Sequence, residues 1–170
     1  MHHLLRADDI RLVPAYVGNS KSFSRCSLVD GTSGSVHMGL GMCALKAGGA
    51  IDTHLHSFEE SFYVLEGQPT LVLDGDAYPL VPGACGLIPV GVPHAWLGPA
   101  KGTAKWIDML APQPRVKGVP DDTFFTGPAA QYEMKPLDIR DPRSRHLFRM
   151  VESDIVLDEL KPGEKADFPE

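Results

Sequence analysis

His54, His56, Glu60 and His94 are the residues of this chain whose types and spacing could do chemistry. Gly48 is followed after five residues by His54-Leu55-His56, after three more by Glu60, and after six more by Gly67. A second block runs Gly83, five residues, Pro89-Val90-Gly91, two residues, His94. Three imidazoles and one carboxylate can hold one divalent transition metal. Three nitrogens and one oxygen suit Fe(II), Mn(II), Ni(II), Co(II), Cu(II) or Zn(II), and ligand type alone does not choose among them. An octahedral ion would keep two positions open for water, substrate or dioxygen. Such openings separate a catalytic site from a closed structural one.

The local pattern must bring these side chains together. His54 and His56 are two apart on a strand, so both point to one face. Glu60 follows the Ser57-Phe58-Glu59 turn, and an antiparallel return would carry it back over the histidines. Glu59 is the competing carboxylate; the spacing favours Glu60. His94 follows Pro89-Val90-Gly91-Val92-Pro93 and is expected to approach from the opposing sheet. His2, His3, His37 and His146 share no such spacing and take no role. Alternation from Glu60 puts Phe62 and Val64 on the ligand side, and alternation from His94 puts Trp96 there. Ile51 and Met109 are expected on the wall of an apolar substrate pocket with Phe62 and Trp96. The same positions also suit plain core filling, since side chains fill a small barrel. Asp108 and Gln68 are the polar candidates for orienting a substrate. No Ser-His-Asp set and no phosphate-cradling glycine loop is evident. Catalytic work would therefore rest on the metal ligands alone.

Seventeen glycines and 15 prolines in 170 residues favour short strands between sharp turns. Ile10 to Val17, Phe23 to Val29 and Val36 to Lys46 read as strands, the last turned by Ala47-Gly48-Gly49. Further strands fall at 51–56, 60–65, 70–73, 77–80, 85–88, 94–97 and 103–110, with Asp74-Gly75-Asp76 as a tight hairpin turn. Strands so closely spaced indicate an all-β sandwich or barrel, not βαβ units. Three regions emerge: covering strands over 1–35, a barrel core over 36–111, and an irregular proline-rich extension over 112–170. Leu160-Lys161-Pro162-Gly163 echoes Leu45-Lys46-Ala47-Gly48. Residues 112–170 thus read as a linker and the start of a second barrel, or as a tail on this one.

The net charge of −6, with Lys and Arg scattered, argues against nucleic acid and against an anionic membrane surface. No apolar run approaches the roughly 20 residues needed to cross a bilayer. The first residues carry no signal-peptide stretch, so a cytoplasmic protein is expected. Cys26, Cys43 and Cys85 form no Cys-x-x-Cys pair and read as reduced thiols.

Over residues 36–111 the chain resembles the cupin superfamily, through the two blocks above with Gly67, Gly83, Pro89 and Gly91. One position departs: the family often carries Asn four residues past the last histidine, where Gly98 stands. The resemblance implies a cupin jelly-roll β-barrel (a double-stranded β-helix). It implies a metal on His54, His56, Glu60 and His94, and homodimers through swapped edge strands. More loosely, the remainder is similar to the linker of two-barrel cupins such as ureidoglycine aminohydrolases, whose metal sits in the second barrel.

Together these readings describe a mononuclear metal-dependent enzyme acting on a small organic substrate. Dioxygenase chemistry stands slightly ahead of hydrolysis or isomerisation. The alternative is a module that binds a small molecule or metal without turning it over. Fold alone does not decide between them.

Overall fold

The computed structural model describes residues 2–114, 122–129, 131–138, 141–143 and 147–149. Its regular elements are nearly all strands: β1 (Val13–Pro14), β2 (Ser20–Val29), β3 (Gly39–His56), β4 (Glu59–Glu66), β5 (Thr70–Leu73), β6 (Asp76–Pro79), β7 (Ala84–Ile88), β8 (His94–Leu97), β9 (Thr103–Ala111), β10 (Thr123–Gly127), β11 (Glu133–Met134) and β12 (Leu147–Arg149). They hydrogen-bond in the order β11-β6-β5-β8-β3-β9-β4-β7-β12, with β2 and β10 also on β3 and β1 on β2. The sheet curls into the jelly-roll expected from the sequence.

Strand β3 organises the barrel. Gly39–Lys46 pairs with β9 and Ala50–His54 with β8, so one strand serves both sheets. The Ala47-Gly48-Gly49 segment is thus a bend within a continuous strand, not the turn the sequence implied. Gly48 supplies a left-handed φ of 67° there. Gly98 donates its backbone N–H to Gly49 O at 2.9 Å, and a Cβ on Gly98 would strike the Lys46 carbonyl. At Gly98, where the family often has Asn, the bend of this chain passes too close for a side chain. Asp74 (φ 52°) and Gly75 (φ 84°) form the tight turn between β5 and β6, as their sequence anticipated.

Alternation along these strands builds the core. Gly41, Cys43, Leu45 and Ile51 on β3 point inward, as do Phe62 and Val64 on β4 and Ala104, Trp106, Asp108 and Leu110 on β9. Trp96 stacks on Trp106 at 4.7 Å between ring centroids, and Phe62 meets Trp96 edge-on at 5.1 Å. The same alternation corrects the sequence reading of Met109. It lies between inward Asp108 and Leu110, so it faces outward and is 42% exposed.

The flanking regions join the barrel. Strand β2 pairs with β3 (Phe23 with Leu45, Arg25 with Cys43), and Phe23 is buried in the core. Beyond residue 112 the prolines keep the elements short, yet β10 pairs with β3 beside the histidines and Leu147 is fully buried on β7. His146 and the repeat-like Leu160-Lys161-Pro162-Gly163 lie outside the described residues. Among the described residues no helix is long and apolar enough to cross a membrane.

Gly98→Ala should destabilise the protein by about 2–3 kcal/mol through overpacking at the bend. A lowered urea midpoint with an unchanged m-value would record it.

Candidate metal centre

The barrel brings His54, His56, Glu60 and His94 together, all buried, with one donor atom from each lying within 4.8 Å of the others. His54 and His94 face each other across the β3–β8 ladder. Glu60 is the second residue of β4, which pairs with β7 and β9 and not with β3. The sequence reading had these two reversed: His94 is the lateral neighbour, and Glu60 is the ligand that crosses from the opposing sheet. The cause is the path of the chain, because the Ser57-Phe58 connection passes over to the other sheet instead of closing a hairpin.

Each imidazole is held through its Nδ1. His54 Nδ1 lies 2.7 Å from Asp52 O and His94 Nδ1 3.0 Å from Val92 O, the carbonyl two residues back in each case. A carbonyl can only accept, so both Nδ1 atoms carry the proton and both Nε2 atoms keep a lone pair. His56 Nδ1 lies 2.9 Å from Thr123 Oγ1 on β10. The Nε2 of His56 is 2.9 Å from Glu60 Oε2, and that of His94 is 3.6 Å from the same oxygen. His94 Nε2 is buried with no hydrogen-bond partner. Ligands about 2.1 Å from one ion sit about 3 Å apart when cis and about 4 Å when trans. The donor set therefore fits a divalent metal, which would also satisfy the orphaned nitrogen. Anchored second nitrogens are the usual support of metal-binding histidines.

The protonation states suit that task. Burial, reinforced by neighbouring His94, lowers His54 from 6.5 to about 3, so it is neutral at neutral pH. Burial pushes Glu60 upward, but its 2.9 Å contact with His56 and the neighbouring His94 outweigh that and hold the carboxyl well below its usual range. One carboxylate and neutral imidazoles are the forms that bind metal.

A cavity of about 450 Å³ lies one layer of side chains from this cage, none of whose four ligands lines it. Tyr16, Phe58 and Thr123 line it, and each touches the ligand set. Phe58 stacks on His56 at 4.3 Å, Tyr16 lies 5.9 Å from His54, and Thr123 bonds both His56 and the Tyr16 hydroxyl. Tyr16 holds a left-handed φ of 53°, the kind of strain found at functional positions. Burial raises its phenol above the ordinary range, with Glu60 adding to the rise.

The residues expected to form a pocket do not line this cavity. Ile51, Phe62 and Trp96 are packed into the core, and Met109 is outside. Of the polar candidates, Gln68 is exposed in a turn. Asp108 is buried and takes a two-pronged hydrogen bond from Arg25, Nε at 2.6 Å and Nη2 at 2.7 Å. Sequence reasoning missed Tyr16, Arg25, Phe58, Gln113 and Thr123. Arg25 could have been found, since it stands two residues from the inward Phe23 on the same strand.

The cupin-domain family model matches residues 41–110. Over these residues the chain carries a cupin domain. This cupin is 29% identical over 89 residues to a protein named polyketide synthase CurC from Streptomyces cyaneus. That alignment takes in 52% of the chain and 58% of the relative, so the chain spans little more than half of its relative's length. The polyketide cyclase RemF from Streptomyces resistomycificus superposes with a TM-score of 0.63 at 24% identity, covering 72% of this cupin and 89% of RemF. KdgF from a Halomonas species superposes with a TM-score of 0.57 at 16% identity, covering 65% and 95%. At these identities the superpositions show the fold.

Thr123→Val, which removes the support of the His56 ring, should weaken metal affinity about 10–100-fold while leaving the barrel folded. Competition with a chromophoric chelator, read beside circular dichroism, checks both. The metal-free protein should lose stability as pH falls from about 6.5 toward 3. Over that window the unfolded chain protonates His54 and the folded state does not. This histidine alone contributes up to about 1.4 kcal/mol per pH unit. Urea midpoints across the window, compared with His54→Gln, measure it.

Proposed function

We propose that this cupin is an enzyme using one divalent metal, held by His54, His56, Glu60 and His94, on a small organic substrate seated in the adjoining cavity. The reaction we assign is ring closure of a polyketide-type chain. The observation that carries the reading is a buried three-histidine, one-glutamate cage with a 450 Å³ cavity one side-chain layer away, behind Phe58 and Thr123. His54, His56, Glu60 and His94 would hold the ion, and four protein donors would not saturate a metal that takes six ligands. A purely structural site would be closed and would need no cavity.

The substrate class is drawn from the relatives, one named a polyketide synthase and one a polyketide cyclase. When bound, the ion supplies Lewis-acid polarisation of substrate oxygens. The chain's own residues do the rest. Phe58, Leu110, Val13, Ala15 and Val29 give the cavity apolar walls that exclude water and fold a flexible substrate compactly. Thr123 fixes the His56 ring and bonds the Tyr16 hydroxyl, placing a phenol where cavity and cage meet.

The test is incubation of the zinc-loaded or manganese-loaded protein with a synthetic aryl 1,3,5-triketone, followed by mass spectrometry. The expected product has lost one water, forms equally under argon, and is absent with His54→Ala, which also loses its metal. Turnover by metal-free protein would overturn the metal role. Oxygen uptake matching product would favour the dioxygenase alternative instead. Saturable binding without product would favour a binding module.

A further inference from the structure

Arg25 is a charged side chain that the proposed cage does not use, and its setting is specific. Its guanidinium donates Nε and Nη2 to Asp108, its acceptor among the described residues, and it lines the cavity beside the metal cage. Asp108 is 7% exposed and Arg25 20% exposed. Cys43 sits beneath them, its thiol donating to Asp108 at 3.2 Å. Burial lowers the basicity of Arg25, but Asp108 outweighs that and holds the guanidinium charged.

The surroundings make room for this pair. A Cβ on Gly41, the inward position beside them on β3, would collide with the Arg25 guanidinium and with Asp108 Oδ1. A buried ion pair gains little over well-packed apolar residues in stability alone. A barrel that keeps a glycine open for such a pair, at the wall of a cavity, is holding a guanidinium in a set orientation. Asp108 occupies one edge of the fork. Nη1 and the second Nη2 hydrogen form the other edge, whose geometry matches a carboxylate. Asp30 also lines the cavity; Ser27, Thr32 and Ser33 donate to it and hold it ionised, so a bound carboxylate must sit on the Arg25 side and away from it. Across the cavity, Gln113 Oε1 is buried without a hydrogen-bond partner and is an acceptor suited to a substrate hydroxyl.

We infer that the Arg25 fork, oriented by Asp108 and cleared by Gly41, binds the carboxylate of a hydroxylated, largely apolar acid, and so sets both the substrate's class and its direction relative to the metal cage. This rests on the reading of the cavity as the substrate site. An acid held at Arg25 would present its other end to the wall formed by Tyr16, Phe58 and Thr123, where the cage begins. Arg25 is then a specificity residue that touches substrate, and Asp108 is its positioning residue.

Fluorescence titration with 6-hydroxy-2-naphthoate and its neutral counterpart 6-hydroxy-2-naphthamide tests this, on zinc-loaded protein and after chelation of the metal. The acid should bind about tenfold or more tightly than the amide in both forms. Arg25→Gln should remove that preference while leaving amide affinity and zinc content unchanged. If R25Q does not fold, Arg25→Lys carries the test: the charge remains, the fork is lost, and the preference falls. Equal affinity for acid and amide, no saturable binding of the acid, or a preference that survives loss of the guanidinium overturns the inference. A preference that disappears with the metal places the carboxylate on the ion and overturns it too. Zinc content read on the same samples keeps the two proposals separate. A protein that holds no metal yet prefers the acid through Arg25 would overturn the cage assignment and support this one.

Discussion

Everything at the centre of this barrel follows from placing strongly polar groups where water does not reach. An unpaired buried imidazole or carboxylate costs several kcal/mol, so each must find a partner. Here the partners are arranged in two tiers. The Nδ1 atoms of His54 and His94 are satisfied by local carbonyls and that of His56 by Thr123. This leaves the Nε2 atoms and the Glu60 carboxylate facing one another, with His94 Nε2 unsatisfied. A shared divalent cation would complete that arrangement. The surrounding fold, from the bend in β3 to the crossing of β4, serves to hold the outer tier in place.

The bend matters because it lets one strand belong to both sheets. Residues 39–46 run beside β9, which carries Asp108, and residues 50–56 run beside β8 and β10, which carry His94 and Thr123. The Arg25–Asp108 pair and the histidine cage thereby sit at neighbouring levels of one interior. The aromatic layer of Phe62, Trp96 and Trp106 fills another part of it. The polar end opens to a cavity and the aromatic part does not. This division is why residues with the right alternation still failed to become pocket walls. Phe62 and Trp96 point inward correctly but pack against each other.

The segments outside the recognisable core contribute more than cover. Tyr16 and Arg25 come from before it, and Gln113 and Thr123 from after it, and together they form much of the cavity wall. The core thus supplies the four candidate ligands, and the flanks supply much of the wall of the neighbouring cavity. That agrees with a general feature of widely used folds: the scaffold is shared and the specificity is added at its margins.

The sequence by itself picked out the four residues that cluster and put His54 and His56 on one face, because a two-residue spacing on a strand does so whatever the strand's neighbours are. It also determined the strand-rich class and the Asp74-Gly75 turn, both of which are local consequences of backbone geometry. Only the tertiary structure decided that Glu60, not His94, crosses from the opposing sheet, because strand pairing is a long-range choice that local pattern does not encode. It alone turned Met109 outward, since phase along β9 is set by the register against β3 and β4. And it alone joined Arg25 to Asp108 across 83 residues of chain, a contact that no local spacing announces.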